Sequence, residues 1–421
     1  GGMRVGLPLL VQTMLLKMAT QERSPSENVD LLLQQGSGSG GSNEASCDSS
    51  RAVEPSMWPE GYKPIRRVKF TTIEDLLAVM APQAQESVPL IIEGSDVVDT
   101  AKWADISYML SMLSTTKVQV KKSPNHKFRY FDAKKNLGKF SFKQPVVETQ
   151  QTAADFVAEA EDILQSGRPE RMYLQETLSG HPEMAEEFAS WRWEVLLRVS
   201  QECGWGLPDS NELFVGMPGI ETPLHFDERE NLFFQVRGRK ELVTFPFVDY
   251  TLLYPFPTTH PCDRQSMVGS PFNANAEAFP NFTKAVGHHA TLQAGDLVYL
   301  PYGWWHWLRN IDHLAISISF WSTYPPDDLS KGVPDVFTGH MLTRVRRNLE
   351  SMVAQQFGPE NHNESMLKIR DAILAKETGD PHLAIVRQLL KAVRMREEEQ
   401  DKFLLEMIEG RFGVDWGLHV Q

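Results

Sequence analysis

His225 and Asp227, in "TPLHFDERENLFFQVRGRK", are two residues apart and of types that bind metal ions. Residues i and i+2 of a strand share a face, so an imidazole and a carboxylate would stand side by side on one wall. Such a pair can hold two corners of a metal ion; the plainer reading is a histidine satisfied by its neighbouring carboxylate. A third donor favours the metal. His306, in "AGDLVYLPYGWWHWL", follows an apolar strand opened by the Gly295-Asp296 turn, and a barrel brings strands distant in sequence onto one inner wall. Two histidines and one carboxylate on one face of iron(II) leave three positions open, enough for a chelating acid and dioxygen.

Other residues extend this reading. A lysine inside a barrel needs an anionic partner. Lys240 follows Arg237-Gly238-Arg239 and would either face the cavity of Asp227 or lie exposed on the outer wall. Facing inward, it would pair with the distal carboxylate of 2-oxoglutarate, to which Thr222 could also offer its hydroxyl. The segment "HPCDRQS", 260–266, is a polar insertion between strands. There Arg264 and Gln265 could present a guanidinium and an amide to a peptide, or form a surface loop. Trp304, Trp305 and Phe320 are expected either to wall the site or to belong to the core.

The elements that must position these residues are short, aromatic and β-branched. "ELFVGM", "NLFFQVRG", "KELVTFPF", "ATLQAGDLVYLP" and "LAISISFW" are separated by turn residues. They predict a mainly β fold with added helices: a double-stranded β-helix, or cupin-like jelly roll, flanked by helices. "TIEDLLAVMA" from Thr72 and "TAADFVAEAEDIL" from Thr152 read as capped helices, and a third helix falls near Trp191–Val199. From Val333 apolar residues recur every three or four positions: Leu342, Val345, Leu349; Leu383, Val386, Leu390; Leu404, Met407, Ile408. The expected division is a disordered extension over 1–55, a catalytic domain over 56–332 and a helical region over 333–421. Exposed stripes on those last helices would make a homodimer the economical arrangement.

Composition limits the alternatives. A net charge of −13 argues against a nucleic-acid surface. Short basic clusters occur at Arg66-Arg67 and at Arg344 with Arg346-Arg347, and the second, in a helix-like pattern, reads as a solvated face. Cys47, Cys203 and Cys262 show no paired spacing and fit free thiols in a reducing compartment. Gly1-Gly2 ahead of Met3 reads as a cloning scar. The run "MRVGLPLLVQTMLLKM" reads as an N-terminal extension rather than a leader, and is too short to span a bilayer. "GSGSGGS" at 36–42 lacks the apolar content to order. No membrane association is expected.

Taken together, "YLQETL", "TPLHFDERENLFFQVRGRK", "LYPFPTTHPCDRQS", "FPNFTKAVG" and "GDLVYLPYGWWHW" resemble the factor-inhibiting-HIF family. These are JmjC-type, iron(II)- and 2-oxoglutarate-dependent asparaginyl hydroxylases of oxygen sensing. The resemblance runs from about Trp58 to Trp321 and resumes at "LEMIEGRF", with extra residues over about 358–378. It implies that His225, Asp227 and His306 hold iron, and that Tyr173, Thr222 and Lys240 hold the distal carboxylate of 2-oxoglutarate, with Asn231 at its other end. It also implies that Tyr130, Gln175, Arg264, Gln265 and Trp321 line a peptide site. At Ser319 the family carries an asparagine that assists the co-substrate, and the connecting loop is shorter here. The implied partners are dioxygen, the transactivation domain of hypoxia-inducible factor and ankyrin-repeat proteins, in cytoplasm and nucleus. Two other readings are a JmjC oxygenase with another target, such as a histone-lysine demethylase, and a catalytically silent cupin-like binding protein.

Overall fold

Residues 52–114, 116–323 and 339–420 are described by a computed structural model of the protein. The strands between 208 and 322 fold into two facing sheets. The smaller runs in the order Lys63–Pro64, His288–Leu292, Lys240–Phe245, Trp305–Asn310, Glu221–Phe226. The larger begins with Arg67–Val68, Leu90–Ile92, Leu297–Leu300, Glu230–Arg237 and Ala315–Ser322. It continues through Pro208–Gly216, Arg171–Thr177, Lys117–Ser123 and Val147–Thr152. From Pro208 to Phe245 successive strands alternate between the sheets, and they do so again from Leu297 to Ser322. This winding is the cupin-like jelly roll. The tight turn into Lys240 depends on Gly238, whose φ is +69° and where a Cβ would lie 3.2 Å from Cβ of Asp312.

Period-two alternation divides the apolar residues among three cores. Phe233 points into the barrel with Leu242, Leu292, Val298 and Leu308. Phe234 points outward, where the larger sheet meets Leu76, Phe156 and Val195 of the helices Ile73–Glu86, Ala153–Gln165 and Trp193–Glu202. The first of these starts as predicted: Thr72 accepts from Asp75 N and the Asp75 carboxylate accepts from Thr72 N.

The outer face of the smaller sheet, through Leu224, Phe226, Val243, Trp305 and Trp307, is covered by the C-terminal helices. These are Gly339–Phe357, His362–Ala375, Pro381–Ala392 and Glu397–Ile408. The stripes expected to drive dimerisation are therefore covered within one chain: Leu349, Val386, Leu390, Leu404 and Met407 are all fully buried. The extra segment supplies the helix His362–Ala375, whose Met366 and Ile369 join the same core. Arg411 ties this region down. It donates to Pro255 O (2.9 Å) and Met407 O (2.8 Å) and forms an ion pair with Glu350 at 2.7 Å, both side chains fully buried.

Several expectations change here. Arg346 and Arg347 do not form a solvated face: Arg346 is buried over the rings of Phe403 and Tyr250, and Arg347 bonds to Asp263. The helix lies between the barrel and its own neighbours, so both arginines are enclosed. Segment 260–266 is not a surface loop, since His260, Cys262, Asp263, Gln265 and Ser266 are buried. The apolar N-terminal run, and all but the last four residues of the extension over 1–55 expected to be disordered, lie outside the described residues, which begin at residue 52. Contact with the barrel starts before Trp58, with Val53 N donating to Ile311 O (2.9 Å). Cys203 and Cys262 are free thiols, and among the described residues no helix is long and apolar enough to cross a membrane.

Candidate metal centre

His225 ends one strand of the smaller sheet and His306 lies near the start of its neighbour, where the two residues pair directly. Their ring centroids are 4.1 Å apart. Asp227 follows two residues after His225, on the same side. One donor atom from each of the three lies within 4.8 Å of the others, with Nε2 of His306 3.8 Å from Oδ2 of Asp227. Each imidazole is oriented by the backbone two residues earlier: Nδ1 of His225 lies 2.9 Å from Pro223 O, and Nδ1 of His306 lies 3.1 Å from Trp304 O. Carbonyls only accept, so both Nδ1 atoms carry the proton and Nε2 of each ring remains as the lone-pair donor. Burial, then the neighbouring His306, pushes the His225 pKa down to about 3. Burial alone would raise the Asp227 pKa, but His306, His225 and Arg264 hold it below the usual carboxylate value. A neutral His225 and an ionised Asp227 are the protonation states a divalent cation needs, and with Nε2 of His306 beside them the donor set fits a metal.

A local irregularity brings Thr222 to the same side. His306 pairs with His225 and Leu308 with Thr222, so three steps along one strand match two along the other. This bulge inverts the usual alternation, and Thr222 and His225 line one cavity of about 170 Å³. Its walls also carry Tyr130, Gln175, Asp227, Arg264, Gln265 and Trp321. Trp321 Nε1 donates to Asp227 Oδ2 (3.2 Å), and Arg264 reaches 4.0 Å from Oδ1. Gln265 already donates to Tyr130 O (2.5 Å).

Lys240 lies behind the cavity. It is fully buried, with Nζ 2.6 Å from Ser317 Oγ and 3.4 Å from Tyr173 OH. Among the described residues no carboxylate lies within ion-pair distance of it. Burial pushes its pKa down to about 7. Asn231 and Ser319 sit together on adjacent strands of the larger sheet, with Nδ2 to Oγ at 3.4 Å. The Oδ1 of Asn231 is buried without a hydrogen-bond partner.

Two further differences concern residue choice. Trp304, Trp305 and Phe320 do not wall the cavity. Trp305 and Phe320 adjoin His306 and Ser319 on their strands and so face the other way, Trp305 packing on Phe226 and Tyr250 and Phe320 on Trp191 and Trp193; Trp304, just ahead of its strand, packs near Phe247 and His288. The aromatic walls are instead Phe128, Tyr130, Phe214 and Trp321. Lys121 and Glu212, also lining the cavity, escaped the sequence reading. Burial lowers the first and raises the second from their ordinary values. Their signal in the sequence is a charged residue inside an otherwise apolar strand, as in "NELFVG".

Comparison with known proteins agrees with this architecture. A profile of the family described as a cupin-like domain matches residues 78–328, more than half of the chain, and the chain belongs to that family. HSPB1-associated protein 1 of Homo sapiens is 36% identical over 141 residues, covering 31% of this chain and 28% of that protein. Lysine-specific demethylase 8 of Xenopus tropicalis is 33% identical over 128 residues, covering 29% and 28%. Lysine-specific demethylase JMJ30 of Arabidopsis thaliana is 28% identical over 144 residues, covering 34% and 33%. The chain thus spans about a third or less of the length of each of these relatives.

Proposed function

From membership of the cupin-like domain family, we propose that this protein is an iron(II)- and 2-oxoglutarate-dependent oxygenase that hydroxylates asparagine in protein substrates. The observation that carries the reading is Lys240, a fully buried amine with two hydroxyls around it and, among the described residues, no carboxylate within ion-pair distance, beside the cluster of His225, Asp227 and His306. A buried charge without a partner is costly, and a dicarboxylate would supply the partner. His225, Asp227 and His306 would hold iron(II). Lys240, Tyr173 and Thr222 would take the distal carboxylate of 2-oxoglutarate, with Asn231 and Ser319 toward its other end. Together with 2-oxoglutarate and dioxygen, the metal supplies the oxidising power to hydroxylate an unactivated carbon.

The chain's own contribution is orientation. Trp321 donates to one oxygen of Asp227 and the Arg264 guanidinium stands 4.0 Å from the other, and the backbone fixes both imidazoles. Arg264, Gln265, Gln175 and Tyr130 offer donors and acceptors to an extended peptide at the cavity mouth. Substrates of this reading are hypoxia-inducible factor and ankyrin-repeat proteins in the cytoplasm and nucleus. A homodimer would have to use surfaces other than the covered helical stripes. Glu212 in the cavity wall favours a second reading, removal of a methyl group from a cationic lysine, which two relatives carry in their names.

Mass spectrometry separates these readings. An ankyrin-repeat peptide and a methyl-lysine histone peptide are each incubated with the protein, iron(II) and 2-oxoglutarate, beside Asp227→Ala. One added oxygen on asparagine, absent in the control, supports the proposal. A lost methyl group supports the second reading. No iron-dependent consumption of 2-oxoglutarate sinks both.

A further inference from the structure

Arg347 of the helix Gly339–Phe357 reaches two acidic residues on two different segments of the barrel. Its Nη1 and Nη2 donate to Oδ1 and Oδ2 of Asp263 at 2.7 and 3.0 Å, and its Nε donates to Glu228 Oε1 at 3.1 Å. The guanidinium also lies 5.5 Å from the Phe226 ring centre. Asp263 immediately precedes Arg264, and Glu228 immediately follows Asp227. The two segments are joined below the guanidinium. His225 and Gln265 form an antiparallel bridge, Phe226 N donates to Arg264 O (3.1 Å), and Ser266 N donates to Leu224 O (2.8 Å). Arg264 itself has φ +68°, a left-handed conformation that its Cβ disfavours and that surrounding contacts must impose. Asp263 is buried, and its other cation, Lys135, is 3.7 Å away.

We infer that Arg347 is a positioning residue: from outside the barrel it clamps 263–266 against the strand bearing His225, and so sets where the Arg264 side chain stands in the cavity. The geometry is independent of which reaction the cavity performs; only the kinetic part of the test rests on the function proposed above.

Hydrogen exchange on the full chain without added metal tests the clamp directly. In Arg347→Met, the amides of Gln265 and Ser266 are expected to exchange about tenfold faster or more, while strands Glu230–Arg237 and Ala315–Ser322 keep their protection. Unchanged exchange over 263–266, or a uniform acceleration of all strands, overturns the inference. Arg347→Lys keeps the charge but not the fork and should fall between; it is judged by the same criterion if the methionine variant does not fold. In the kinetic arm, peptide KM for the ankyrin-repeat peptide rises about ten- to a hundredfold. Peptide-free consumption of 2-oxoglutarate stays within about twofold of the parent. Equal loss of both activities overturns it. A parent protein that consumes no 2-oxoglutarate refutes the proposed function instead, and the exchange result still decides on Arg347.

Discussion

Among the described residues two cations have no exposure at all, Lys240 in the barrel and Arg411 among the C-terminal helices. Arg411 has two carbonyls and the Glu350 carboxylate within reach and the ring of Tyr250 at 5.3 Å. Burial alone would lower its pKa, but Glu350 holds it above the ordinary value. Lys240 has two hydroxyls and three aromatic rings but, among the described residues, no anion within ion-pair distance, and burial drives its pKa down to about 7. A satisfied buried charge belongs to the scaffold, whereas one left short of a partner marks where a ligand completes the structure.

Substitution separates the two roles most sharply. Arg411→Met leaves Glu350 buried without its partner and should destabilise the fold by about 3–5 kcal/mol, measured by urea unfolding. Equal stability would mean the two cations are alike. Lys240→Met should do the reverse, stabilising the protein by about 1–4 kcal/mol in the absence of 2-oxoglutarate while abolishing its uptake. Destabilisation of that variant would assign Lys240 to the scaffold after all.

The contrast also has a pH signature. The Lys240 amine titrates near 10.5 when unfolded and at about 7 in the fold. Between those values the unfolded chain holds the proton and the folded chain releases it, so this group's contribution makes stability rise with pH across that window. Saturating 2-oxoglutarate should flatten the rise by restoring a counter-charge, and Lys240→Met should remove it. A rise that survives the substitution would belong to another group. The smallest effect concerns Ser319. Ser319→Asn gives the partnerless Asn231 Oδ1 a donor and should tighten 2-oxoglutarate about three- to tenfold by calorimetry. Weaker binding would show that the serine is adapted to this chain.

The jelly roll and the meeting of His225, Asp227 and His306 were legible because both rest on short-range regularities: period-two strands, a two-residue spacing, and a histidine soon after an apolar strand. What escaped depends on contacts between distant segments. Alternation also predicts that Trp305 and Phe320 face away from His306 and Ser319, and it selects the core from the two options, core or cavity wall, that aromatic character left open. Arg346-Arg347 read as solvated because helical periodicity shows an amphipathic face without showing what packs against the other side. Lys121 and Glu212 needed three-dimensional proximity to acquire meaning. The buried state of 260–266 likewise comes from its pairing with Leu224 and His225, forty residues earlier in order of magnitude.

The extra residue between Thr222 and His225 makes the site depend on chain parity. On a regular strand, an odd separation sends two side chains to opposite sides, so a threonine three positions before a histidine could not share its cavity. Regularising the ladder while all three steps are kept would expel the hydroxyl without altering any side chain named in the site, whereas deleting Leu224 as well would return it to the histidine's face. The distance between the two residues along the chain is therefore as much a part of the site as their identities.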